Sequence, residues 1–165
     1  MNRKRRPKIA IAILTISAVL SVFAGFIAPY KPNFMNEYAI KKQKVIVTNN
    51  QIVKEFYLSD KKGYAFQYDI VFLKSLEELF VFVRDLIHVN WHLLNNPMAG
   101  NIPLHKHPFR SMALEKGSSF DTRSLYLWDS AKERLSRGKR PDYSIDVIED
   151  FAHLDFILFQ DNLPF

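Results

Sequence analysis

Four of the five histidines come in two close pairs, His88 with His92 and His105 with His107. Residues four apart share a helix face, and residues two apart share a strand face. Four imidazoles so arranged form an alternative ligand set for zinc or nickel. Two features count against it. Asn90 reads as a helix end, and Val89 stands where an HExxH motif needs glutamate. The plainer reading makes His88 a helix-end residue, where a positive ring is favoured.

Arg84 and Asp85 are neighbours. They suit a surface ion pair worth under about 1 kcal/mol, or Arg84 reaches a carboxylate ligand with its planar fork. Asn49-Asn50 and Asn95-Asn96 each follow a short apolar run. If both runs are parallel strands, both pairs lie at carboxyl ends, where open α/β sheets bind ligands. Asn also suits turns for purely conformational reasons. Asn49, Asn50, Arg84, His88, Asn96 and Arg110 together form the candidate ligand-binding set. Two cations, an imidazole and amide donors suit a small carboxylate better than a nucleotide.

Other chemistries find no footing. The only glycines after residue 35 are Gly63, Gly100, Gly117 and Gly138, and no GxG is present. Walker and dinucleotide loops need glycines for close backbone approach to phosphate. No nucleophile elbow is present. Asp150 and Asp155, five apart, face different ways on a helix, which suits one solvent or capping residue and one buried hydrogen-bonding residue. The chain has no Cys, so disulfides, thiolate catalysis and Cys-type metal sites drop out. No complete catalytic signature remains and no cofactor is expected.

The elements that must position these residues follow from pattern. Residues 45–47 read as a buried strand meeting a Thr48-Asn49-Asn50 turn, and residues 51–58 as a short helix. Residues 66–72 read as a second strand. Over residues 74–88, Leu76, Leu79, Phe80, Val83, Leu86 and Ile87 recur at helical spacing behind a Ser75 cap. Residues 91–94 read as a third strand, and the proline-rich stretch 95–108 as a loop. Residues 109–115 read as a fourth strand. Asp121 caps a helix over 122–137, closed by Gly138, and Pro141-Asp142 opens a last helix. Strands alternating with helices predict a small layered α/β domain with a short, mostly parallel sheet, its first three strands parallel.

Of the 23 basic residues, six lie within the first 34 positions, where no acid occurs; the rest holds 17 basic against 17 acidic residues. The body is therefore neutral, which argues against nucleic acid as a partner. The run Arg134, Arg137, Lys139, Arg140 reads as favourable charge at a helix end. Residues 9–30 carry no charge, and 22 helical residues reach about 33 Å, enough to cross a hydrocarbon layer. With five basic residues ahead of it, the segment predicts a single-pass anchor over 9–28 with the amino terminus cytoplasmic. A cleaved signal peptide is the second reading. A start at Met35, giving a cytoplasmic protein, is the third. The organisation is thus a basic flank and anchor over 1–30, a linker over 31–43 and an α/β domain over 44–165.

Several segments resemble the GrdX family, small proteins encoded with glycine reductase genes. They are Val45-Ile46-Val47-Thr48-Asn49-Asn50-Gln51-Ile52-Val53, Arg84-Asp85-Leu86-Ile87-His88, Leu93-Leu94, Pro97-Met98-Ala99-Gly100, Pro108-Phe109-Arg110-Ser111, and Asp150-Phe151 with Asp155. The resemblance covers residues 44–163 and departs at Asn96, where the family pattern has His. It implies a setting, the selenium-dependent reduction of glycine, sarcosine or betaine, with reductase components as partners. It implies no mechanism. Beside this accessory role stand two alternatives: a small-carboxylate-binding enzyme or ligand-binding domain, and a membrane-tethered interaction domain. The resemblance and the carboxylate reading together predict that residues 48–53, 84–88 and 108–111 converge in space.

Overall fold

A computed structural model describes Tyr38, residues 40–59 and residues 67–163. The anchor expected over residues 9–28 lies outside the described residues. Among those described, no helix is long and apolar enough to cross a membrane.

The order is β1 (Lys44–Thr48), α1 (Gln51–Leu58), β2 (Tyr68–Phe72), α2 (Leu76–His88), β3 (Trp91–Leu93), a 3-10 turn (Leu104–Lys106), β4 (Ser111–Lys116), α3 (Thr122–Ser136) and α4 (Ile145–Asn162). The strands form one sheet in the order β2-β1-β4-β3. Strand β1 is sealed on both faces, which explains its unbroken apolar run. Val45 and Val47 join one core with Leu79, Phe80, Val83 and Leu86 of α2 and Ala131 of α3. Ile46 joins a second core with Val53 and Tyr57 of α1 and Phe159 of α4. The sheet is thus a middle layer between two helical layers. Each fully buried Leu, Ile or Phe is worth roughly 1.5–3 kcal/mol.

The sheet is mixed, not mostly parallel. Only β1 and β2 pair in parallel; β4 runs antiparallel to both β1 and β3. Strands β1, β2 and β3 do point the same way, as expected, but β4 is inserted between β1 and β3. The cause is the β3–β4 connection. Parallel neighbours need a crossover, usually a helix. Residues 94–110 hold only the short 3-10 turn, so the chain re-enters the sheet at the end it left.

Element boundaries also shift slightly. The last helix starts at Ile145, after Pro141-Asp142, with Ser144 at its cap position. The second strand is described from Tyr68 and the fourth from Ser111. Helix α2 follows its sequence signals closely: the Ser75 side chain accepts from the Glu78 N–H. Asn90 takes the left-handed conformation just beyond its end (φ 67). The end of the expected linker is fastened, since the backbone N–H groups of Lys41 and Lys42 donate to Asp69 Oδ2 at 2.6 and 2.7 Å.

Candidate functional site: the polar end of the sheet

Strands β1, β2 and β3 finish at one end of the sheet, where β4 begins; Thr48 faces Ser111 there. A chain leaving a doubly buried strand must satisfy its polar groups locally. The Thr48-Asn49-Asn50 turn does so with side chains. Asn50 caps α1 by accepting from the Ile52 N–H at 3.0 Å, while its own N–H donates to Thr48 Oγ1 at 2.9 Å. Its amide nitrogen donates to the Ala152 carbonyl at 2.7 Å and to Asp155 Oδ2 at 3.0 Å. Asn49 accepts from the Arg110 N–H at 2.8 Å and donates to the Pro108 carbonyl at 2.9 Å. Asn95 braces β4 in the same manner, accepting from the Ala113 N–H at 2.8 Å and donating to the Ser111 carbonyl at 3.1 Å.

Asp155 is the centre of this network. It is 2% exposed and reaches the sheet from α4. Its Oδ2 accepts from Ser111 Oγ at 2.8 Å. Thr48 Oγ1 and Ser111 Oγ lie 2.7 Å apart. Because the Ser111 hydroxyl hydrogen goes to Asp155, the Thr48 hydroxyl donates to Ser111. Burial pushes the Asp155 carboxyl pKa upward, against the pull of the Arg110 charge and the donors Asn50 and Ser111. One carboxylate of α4 thus holds β4 and the cap of α1 together.

Arg110 is different, because its charge is not matched by a contact. It is 4% exposed, Nη1 donates to the Ala99 carbonyl at 3.2 Å, and Nε is buried without a partner. The ion pairs among the described residues do not include it. Burial depresses its pKa, and the Asp155 charge opposes that shift. The acceptor of Nη1 belongs to the Pro97–Gly100 turn, where Gly100 has φ +98, and a side chain there would also strike Leu158. His107 lies nearby, 1% exposed, its ring 4.9 Å from that of Phe151. Its Nδ1 accepts from the Phe109 N–H at 3.3 Å, so the proton of the neutral ring sits on Nε2, which is buried without a partner. Burial first, then the positive charge of Arg110, push the His107 pKa down to about 3; a backbone hydrogen bond at Phe109 opposes the shift and the Arg140 charge adds to it.

The expected convergence is half realised. Residues 48–50 meet residues 108–111 at this end. Residues 84–88 do not join them. Helix α2 starts beside the end of β2 and runs back along the sheet, so His88 sits at the opposite end, where Trp91 pairs with Lys116. There Arg84 Nη2 is ion-paired to the buried Asp85 at 2.7 Å, and His88 Nδ1 contacts the Arg84 carbonyl at 2.8 Å. Asn96 is exposed and stabilises its own turn, accepting from the Met98 N–H at 2.9 Å. The four paired histidines do not gather either. His92 Nε2 contacts the Ser119 carbonyl at 2.8 Å, and among the described residues no group of three or more His or carboxylate ligands forms.

Two concavities have no lining residue among Asp155, Arg110 and His107. One of about 660 Å³ runs beside Tyr38, Phe72, Val81 and Phe82 and is mostly apolar. One of about 290 Å³ lies between the 98–105 loop and the end of α3 and includes His105, Arg134 and Arg137. Residue types alone pointed to Asn49, Asn50 and Arg110. In the sequence His107 stood out only as half of a histidine pair, Arg140 only as charge at a helix end and Asp155 only as one of two helical aspartates, one of them expected to be a buried hydrogen-bonding residue; their place in one cluster needs the fold. A family model described as GrdX-like protein matches residues 45–164. No curated protein and no solved structure matches the chain.

Proposed function

Since the chain belongs to the GrdX-like protein family, we propose that it is a ligand-binding accessory protein of the glycine, sarcosine and betaine reductase setting which that resemblance implies. In this reading its folded part takes the carboxylate of a small molecule at the polar end of the sheet. Residues 9–28 hold it to a membrane with the amino terminus cytoplasmic. One observation carries the binding part: the Arg110 guanidinium is buried, yet no carboxylate pairs with it among the described residues. A buried charge without a partner costs several kcal/mol, and a bound carboxylate would offset that cost. The hydroxyls of Thr48 and Ser111 and the carboxylate of Asp155 are bonded to one another and sealed. That supports a binding role for this end over a nucleophilic one. Arg84 and His88, at the other end, take no part.

The test is calorimetric titration of the full-length chain, in detergent micelles, with glycine, sarcosine, betaine and acetate. Saturable binding of the carboxylates, lost in Arg110→Gln, is the expected result. Absence of binding by all four, or binding unchanged in Arg110→Gln, overturns the reading.

A further inference from the structure

We propose that Arg110, His107 and Arg140 form a three-donor cradle for one small monoanionic carboxylate, entered beneath the segment that joins α3 to α4. The proposal rests on the reading of the sheet end as a ligand site and names its donors and its ligand class. Five buried side-chain atoms lack a hydrogen-bond partner among the described residues. Two of them, Asp85 Oδ2 and Trp91 Nε1, belong to the other end of the sheet. The remaining three are Arg110 Nε, His107 Nε2 and Arg140 Nε, and all three are donors.

Buried donors left unpaired cost roughly 1–3 kcal/mol each, so three together call for an acceptor. Ring contacts bring His107 to the segment that carries Arg140, and the charges of Arg110 and Arg140 both act on the His107 ring. Its ring packs on Phe151, and Tyr143, three residues after Arg140, packs on the same ring at 5.0 Å. The sheet end thus meets the α3–α4 segment across one aromatic side chain.

Charge sets the ligand class. Two guanidiniums belong to the cluster, and its one carboxylate, Asp155, is bonded to Asn50 and Ser111 rather than to either of them, so an anionic ligand suits the remaining donors. The imidazole is neutral with its proton on Nε2, so it donates one hydrogen bond and adds no charge. A planar carboxylate accepts from two forks and one N–H at once. Access fits as well. Gly138, Lys139, Pro141 and Asp142 are exposed, while Arg140 and Tyr143 are half-buried. Of the three donor residues, Arg140 is thus the one nearest solvent.

The experiment titrates the full-length chain in micelles with acetate and with inorganic phosphate, following the His107 ring by nitrogen-15 NMR and affinity by calorimetry. The wild type should bind acetate more tightly than phosphate, with the Nε2 resonance moving on saturation. Arg140→Gln, a half-buried site whose substitution spares the core, should weaken acetate roughly tenfold or more. Acetate affinity unchanged in Arg140→Gln, with Nε2 unmoved, overturns the cradle; if Arg110→Gln still abolishes binding, the sheet-end reading survives. Phosphate bound more tightly than acetate overturns the ligand class. No binding of either anion overturns both cradle and sheet-end reading.

Discussion

Asp155 shows how much depends on a single side chain. It accepts from Asn50 and Ser111 inside a closed core. Removing it leaves two buried donors and a hydroxyl chain without a terminus. Asp155→Ala should therefore destabilise the fold by roughly 3 kcal/mol, as urea unfolding will measure; a cost under about 1 kcal/mol would mean that water replaces the carboxylate without loss. His107 makes a separate prediction about pH. Its folded-state pKa lies at about 3, against 6.5 ordinarily, so the unfolded chain takes up the proton first. Stability from the neutral ring is complete above pH 6.5 and is lost as pH falls toward 3, at about 1.4 kcal/mol for each tenfold change in proton affinity. Between pH 6.5 and 4, the wild type should lose stability more steeply than His107→Gln; parallel curves would show that the ring is not held neutral. At this scale the sequence was readable for types and unreadable for pairing. Asn50 and Asn49 stood out, but their amides are spent on Asp155, Ala152, Pro108 and Arg110, partners up to 105 positions away.

The elements were more legible than their arrangement. Periodicity placed α2 and its Ser75 cap because local chemistry decides both. Strand direction was not local. It depended on whether residues 94–110 contain a crossover, and a proline-rich stretch does not announce the direction in which it returns. Arg84 was misplaced for the same reason: knowing that it lies on a helix does not say which end of the sheet that helix end reaches. The cap of α3 carries a tertiary role as well. Asp121 accepts from the N–H groups of Arg123 and Ser124 and from the Ser124 hydroxyl, and Ser124 Oγ in turn accepts from the Leu93 N–H at 2.7 Å. The cap thus ties α3 to the edge strand β3. Asp121→Ala should cost about 1–2 kcal/mol, the upper range for a cap. Amide exchange should also quicken at Leu93. If only α3 amides quicken, the tie to β3 is not load-sharing.

Taken whole, the chain joins a neutral α/β body to an uncharged run behind five basic residues. If residues 9–28 hold it to a membrane, the full-length protein will sediment with membranes and need detergent for release; recovery in the supernatant without detergent would contradict the anchor. The body offers two ends with different chemistry. One holds the Arg84–Asp85 ion pair with the unpartnered Asp85 Oδ2 and Trp91 Nε1, and the other holds three unpartnered donors among the described residues. In the proposed function, ligand binding belongs to the second. Equilibrium unfolding of the wild type, Arg84→Gln and Arg110→Gln, each with and without acetate at a hundredfold excess over its Kd for the wild type, compares the two ends directly. Stabilisation of about 2.7 kcal/mol is expected in the wild type and in Arg84→Gln, and none in Arg110→Gln. Stabilisation kept in Arg110→Gln and lost in Arg84→Gln, or absent from all three, would contradict the proposed function.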